Sequence, residues 1–248
     1  MIEFPELQPV RRASLVLVGV GLLLAVSCSI SAPGPTPSPT PSPVDVATRA
    51  GERMLSVNSL HFIIELSGKL TYLDNPPTLA LKQAEGDVER PDNVRAIVKV
   101  FSFGIVSEVG IIGLGSEQYA TNPLNQQWEK LPPDQGWYFD PALLFDPEYG
   151  IEGVLKAGTW TFGTEDQDEE QTYYILHGQL PGERLLFLTS GLIASGEVTI
   201  DIWVSREDGY VHRIQMIEQE SDPEDPSRWL IEFSAFDEPI DIEAPPVP

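Results

Sequence analysis

The stretch VRAIVKVFSFGIVSEVGIIGLGSEQYATNPLNQQWEKL (Val94–Leu131) decides how the chain folds. In a strand, successive side chains point to opposite faces, so one face is read off every second residue. Val94, Ala96, Val98 and Val100 make one face wholly apolar, while the other mixes Arg95 and Lys99 with Ile97 and Phe101. The next run, Gly104 to Gly115, is apolar on both parities: Ile105, Val109 and Ile111 on one, Val106, Ile112 and Leu114 on the other. A strand without a polar face must be covered on both sides. Two covers fit this pattern: helices sandwiching an ordinary central strand, or a concave face that borders an apolar cavity. Gly104, Gly110, Gly113 and Gly115 favour curvature and bulges over a flat sheet.

Outward from this stretch the same alternation recurs. Leu60 to Tyr72 places Leu60, Phe62, Ile64, Leu66 and Leu70 opposite His61, Glu65, Ser67 and Lys69, and Leu79 to Arg90 reads as its return strand. Asp45 is a candidate N-cap for a helix over Val46–Val57. Glu117–Thr121 and Gln126–Lys130 complete a meander. Asp140-Pro141 and Asp146-Pro147 signal two short helices, near Pro141–Phe145 and Pro147–Lys156. Strands follow at Thr159–Thr164 and Gln171–Leu180, around the acidic turn GTEDQDEEQ. A helix over Glu183–Ala194 is apolar around nearly its whole circumference and calls for burial on all sides. Gly196–Val204, Tyr210–Glu220 and Arg228–Phe236 close the sheet. Short hairpin links make it antiparallel. The pattern predicts an α+β fold: one large, strongly curved antiparallel sheet with helices across its concave side. Two separate small β domains, split near residue 132, are the alternative.

The chain ahead of this domain has a different character. Arg11-Arg12 and the apolar run Ala13–Val26 read as an export signal over residues 1–27, too short for a comfortable span of about 20 apolar residues. Ala25-Val26-Ser27-Cys28 resembles a bacterial lipobox, in which the cysteine thiol takes a diacylglyceryl group and becomes the mature N-terminus. Cys28 is the only cysteine, so no intrachain disulfide is possible. Residues 28–44 are a Pro/Ser/Thr-rich tether held extended by proline. The folded domain is expected over 45–238, with an extended proline-rich tail at 239–248.

Charge and side-chain chemistry then exclude whole classes. The net charge of -23 argues against nucleic acid, whose phosphates require Lys and Arg, and against charge-driven binding to anionic lipid surfaces. Neither Ser116 nor Ser195 sits in a G-x-S-x-G elbow. His61, His177 and His212 fall in different strands without shared spacing, and the single cysteine and scattered histidines cannot make a zinc site. The acidic run Glu165–Glu170 lacks the spacing of a calcium loop, and no phosphate loop or dinucleotide fingerprint occurs. The reading is therefore of a protein that is not an enzyme and has neither metal nor cofactor. Its functional material is apolar surface, which either fills a core or encloses a hydrophobic guest.

Cys28 with its tether, SVNSLHFIIELSG at 56–68, the block Val98–Pro132 with Trp128, the two Asp-Pro helices and the closing FSAFDEPIDIEAPP at 233–246 resemble the LppX–LprAFG lipoproteins. The resemblance implies a half-barrel sheet crossed by helices, enclosing a cavity for acyl chains of lipids or glycolipids. It implies carriage of such lipids across the cell envelope by a monomer, tethered by its lipid anchor to the extracytoplasmic face of the cell membrane. Positions matching the cavity would be Val98, Val100, Ile112 and Leu114 from the first strand set, and Val198, Ile200 and Ile202 from the second. Leu185, Leu188 and Leu192 would line it from the predicted helix. The competing expectation is an envelope scaffold with a filled core, binding a protein partner along its sheet edge.

Overall fold

The computed structural model describes residues 40–122, 125–132, 141–164 and 172–247. The signal segment, Cys28, most of the tether, Asp140 and residues 165–171 of the acidic turn lie outside them.

The chain enters through α1 (Pro43–Leu55), which starts earlier than the sequence suggests, inside the stretch read as tether. The N-cap is Ser42, not Asp45. Ser42 Oγ accepts the Asp45 N–H at 3.2 Å, and the Asp45 carboxylate accepts the Ser42 N–H at 3.1 Å. With Pro43 at the first helical position, these reciprocal bonds make a capping box that outcompetes a later start. Val46, Ala47, Ala50 and Met54 are buried, as an amphipathic stripe requires.

The first strand set is β1 (Ser59–Ser67), β2 (Thr71–Tyr72), β3 (Ala80–Glu89), β4 (Asn93–Ser102), β5 (Ile105–Leu114), β6 (Glu117–Thr121) and β7 (Trp128–Lys130). The predicted long strand Leu60–Tyr72 breaks at Gly68, whose φ of 73° only glycine adopts freely and whose Cβ would strike the Pro226 carbonyl. A 3-10 turn, Pro141–Phe145, and α2 (Ile151–Ala157) follow. Asp146-Pro147 does not open the second helix. Asp146 Oδ1 accepts the N–H groups of Glu148 at 2.8 Å and Tyr149 at 2.9 Å, closing a turn, and the helix begins after Gly150. The second set is β8 (Thr161–Phe162), β9 (Tyr173–Pro181), β10 (Glu197–Ser205), β11 (Val211–Glu218) and β12 (Ser227–Ser234).

Among the described residues these twelve strands form one antiparallel sheet in the order β7-β6-β5-β4-β3-β1-β12-β11-β10-β9-β8, with β2 beside β3. The first and last long strands meet at its centre, Phe62 opposite Phe233 and Ile64 opposite Ile231. The predicted fold class holds: a large, open, curved antiparallel sheet with two helices, α+β. The helices cover one half of its concave side. α1 packs on α2 so closely that a Cβ on Gly51 would lie 2.8 Å from Glu152 Cγ, and Met54 Sδ accepts the Val211 N–H at 3.4 Å.

The predicted helix over Glu183–Ala194 is not one. Only Gly182–Arg184 forms a 3-10 turn. Thr189 Oγ1 donates to the Leu185 carbonyl at 2.8 Å and accepts the Ile193 N–H at 3.0 Å. Ser190 and Gly191 both take positive φ, 53° and 82°, and the Gly191 N–H returns to the Leu186 carbonyl at 2.6 Å. That six-to-one closure is how a helical turn is terminated. The apolar content still goes where the pattern demanded, since Leu185, Leu188 and Ile193 are buried.

Candidate functional site: an apolar cavity on the concave face

Register explains why β5 is apolar on both sides. Val94, Ala96 and Val98 of β4 stand opposite Gly113, Ile111 and Val109 of β5, so these six share the concave face. Ile112 stands opposite Arg95 and Leu114 opposite Asn93, on the outer face. There the C-terminal tail covers them: Ile112, Tyr119 and Ile242 form a small separate cluster, with Leu114, Trp128 and Ile240 packed against it. Towards its end one side of β5 is thus closed by the tail and the other borders empty space. Ile105 and Val106 at its start stay exposed, so the expectation of cover on both sides fails there.

That space is a cavity of about 710 Å³. Its floor is built from Phe62 and Ile64 of β1, Leu81 and Ala84 of β3, Val94, Ala96 and Val98 of β4, and Ile111 and Gly113 of β5. Leu188 and Leu192 close it from the segment after β9, and Trp229 of β12 walls it on one side. Small side chains make the room. Ala84 lies opposite Val98, and the pair Gly86–Ala96 continues the floor beside Ile111. The volume falls inside the range of about 300–1,000 Å³ typical of small-molecule sites, and is roughly five times an apolar cavity that takes benzene. Polar groups are few: Asp92, Ser116 and Gln118, with Thr189 and Ser190. Among the described residues no Lys, Arg or His lines it.

Of the residues singled out from the sequence, Val98, Leu188 and Leu192 line this cavity. Val100 lies further along the same face of β4, buried in the core. Leu185, Val198, Ile200 and Ile202 are buried in solid packing on the helix-covered half. Ile112 and Leu114 are separated from Val98 by the sheet itself, because grouping them ignored the period of two across the β4–β5 register. Sequence reasoning did not single out Phe62, Ile64, Ala84, Ala96, Ile111 or Trp229 as lining residues. The available signal was the run of Ala and Gly on inward parities of neighbouring strands.

Trp229 is 2% exposed, and its indole N–H donates to Glu218 Oε1 at 3.1 Å. Burial raises the Glu218 pKa above the ordinary carboxylate value, and the Trp229 bond opposes this without overcoming it. The folded state therefore holds this proton more tightly than the unfolded chain. Glu218 favours folding below the ordinary carboxylate pKa, and that contribution disappears as pH rises through the raised value. Glu218→Gln is accordingly expected to raise the melting temperature at pH 7 relative to wild type, with the difference shrinking towards pH 4. A difference that does not change with pH would contradict it.

Histidine chemistry lies elsewhere. His61 Nδ1 bonds Asp87 at 2.8 Å, His177 Nδ1 bonds Asp201 at 2.7 Å, and His212 Nε2 bonds Asp208 at 3.1 Å. These are three separate His–Asp pairs, none at the cavity. Burial tends to raise the Asp87 pKa, but hydrogen bonds from His61 and Arg95 outweigh it and hold the carboxyl below its ordinary value. Among the described residues no group of three or more His, Cys, Asp and Glu could hold a metal ion, and no helix is long and apolar enough to cross a membrane. A second hollow of about 540 Å³, between Lys82, Lys99, Arg228 and Glu65, carries charges that an acyl chain would have to desolvate.

An open antiparallel sheet holding an apolar cavity under an incomplete helical cover is an architecture that can enclose an apolar guest. The chain belongs to the LppX_LprAFG lipoprotein family, whose model matches residues 42–242. Among solved structures it is similar to LprF from Mycobacterium bovis, at 15% identity and a TM-score of 0.66, covering 84% of this chain and 99% of that one. It is also similar to the Mycobacterium tuberculosis lipoprotein LppX, at 14% identity and a TM-score of 0.57, covering 81% and 98% respectively. At such identities the likeness is one of fold. No curated protein sequence matches the chain.

Proposed function

We propose that this protein is a non-enzymatic lipid carrier. It holds the acyl chains of a lipid or glycolipid in the concave-face cavity and moves them across the cell envelope. Cys28, acylated, is its anchor on the extracytoplasmic face of the cell membrane, the proline-rich segment is its reach, and it works as a monomer. The observation that carries this reading is the 710 Å³ cavity floored by Ala84, Ala96, Val98 and Ile111. Transfer of each methylene from water into such a space contributes about 0.8 kcal/mol, so ten buried methylenes supply about 8 kcal/mol. That is enough to hold a chain in solution between membranes. Membership of a lipoprotein family supports the anchor, and the acidic surface keeps a loaded carrier from adhering to anionic headgroups. Native mass spectrometry of protein purified from a bacterial host without added lipid is expected to show a bound species of lipid mass, released by organic solvent. Apoprotein alone, with no uptake of added lipid, would remove the proposal.

A further inference from the structure

The cavity has one polar end, and its chemistry is one-sided. Asp92 lies in the turn between β3 and β4, and Gly115-Ser116 in the turn between β5 and β6. The two turns touch, since a Cβ on Gly115 would sit 3.4 Å from Asp92 Oδ2. Gln118, the second residue of β6, completes the end. Its Oε1 is buried and has no hydrogen-bond partner. Asp92 has no hydrogen-bond or ion-pair partner among the described residues either. A buried amide oxygen left unpaired is rare in native proteins and invites explanation by a ligand. Of the other polar lining residues, Thr189 Oγ1 is already engaged by the Leu185 carbonyl and the Ile193 N–H, and Ser190 lies beside it in the covering segment. The rest of the strand floor is apolar, so this end is where a polar part of a guest would sit. Among the described residues no cation lines the cavity, so none of them neutralises a phosphate or carboxylate, and Asp92 repels one.

Resting on the carrier reading above, we propose that Asp92, Ser116 and Gln118 form a headgroup subsite that selects lipids bearing hydroxyl or amine donors and no net negative charge. Asp92 and the Gln118 amide oxygen accept those donors, and Ser116 can donate or accept. The carboxylate also acts as a filter against anionic lipids of the same chain length.

The test displaces a fluorescent fatty-amine probe from the lipid-free full chain, using dioctanoylglycerol and dioctanoyl phosphatidic acid, which differ only in the headgroup. At low salt the neutral lipid is expected to compete roughly tenfold better, the scale of one like-charge contact near a protein surface. Asp92→Asn is expected to close most of that gap by strengthening phosphatidic acid, with the melting temperature unchanged. Gln118→Leu is expected to weaken dioctanoylglycerol severalfold while raising the stability of the empty protein, as removal of an unpaired buried polar atom should. Equal competition by the two lipids, or a ratio unmoved by Asp92→Asn, overturns the subsite and leaves the carrier intact. Failure of both lipids and of the probe to bind overturns the carrier reading with it.

Discussion

Ala84→Trp and Ala96→Trp together are expected to leave the sheet folded and to empty the protein of acyl chains. Both alanines are buried on the concave face, and both border the cavity. Added bulk in a filled core usually costs about 1–3 kcal/mol through off-rotamer packing. Here the indoles enter existing space and gain contact with Ile64, Leu188 and Leu192, so the penalty is expected at the low end. The guest loses more. Excluding four methylenes removes about 3 kcal/mol, or more than 100-fold in affinity. Ile97→Trp is the control, because Ile97 adjoins Ala96 on β4 but is 53% exposed on the outer face. Mass spectrometry of the co-purified lipid, beside circular dichroism of both variants, reads the result. Lipid retained at wild-type level by the doubly filled protein would mean that this cavity is not where acyl chains go.

Much of the fold was legible in the sequence, because hydrophobic parity is a local property. Val94, Ala96, Val98 and Val100 announce one face of β4, and Val198, Ile200 and Ile202 announce one face of β10, whatever lies opposite. The sheet's continuity follows from hairpin links and from an apolar face that every strand must bury. Three features were not legible, each for its own reason. Ile112 and Leu114, on the parity opposite Ile111, looked fit to line a cavity because the tail residues Ile240 and Ile242, more than a hundred positions away, supply their cover. The segment after β9 looked helical because composition reports burial, while the Thr189 side-chain bonds and the Ser190–Gly191 reversal set its path. The lining of the cavity was obscure because a cavity is made by what is missing. Ala84, Ala96 and Gly113 are unremarkable one at a time, and become informative only when register places them side by side.

Trp229→Ala is the single substitution expected to cost the most stability. Trp229 is among the largest fully buried side chains, sits on β12 opposite Leu66 of β1, and walls the cavity. Removing a buried indole typically costs about 3–5 kcal/mol, and the site cannot collapse to recover part of it because one side already faces empty space. The loss also strips Glu218 of its hydrogen-bond donor, leaving a half-buried carboxylate whose charged form the fold already disfavours. For a domain of this size the melting temperature is expected to fall by roughly 10–15 °C at neutral pH. Trp229→Phe keeps an aromatic ring in the wall and loses the N–H with only part of the indole's volume, so it should fall by much less. A drop for Trp229→Phe as large as for Trp229→Ala would show that the bond to Glu218, not the packing, carries the cost. Bound lipid gives a second readout. A guest that binds only the folded protein stabilises it in proportion to the logarithm of its concentration over Kd. If acyl chains lie against the indole, added lipid should recover less of the melting temperature in Trp229→Ala than in a variant destabilised equally at a distance, such as Met54→Ala under α1. Equal recovery by the two would place the guest away from β12.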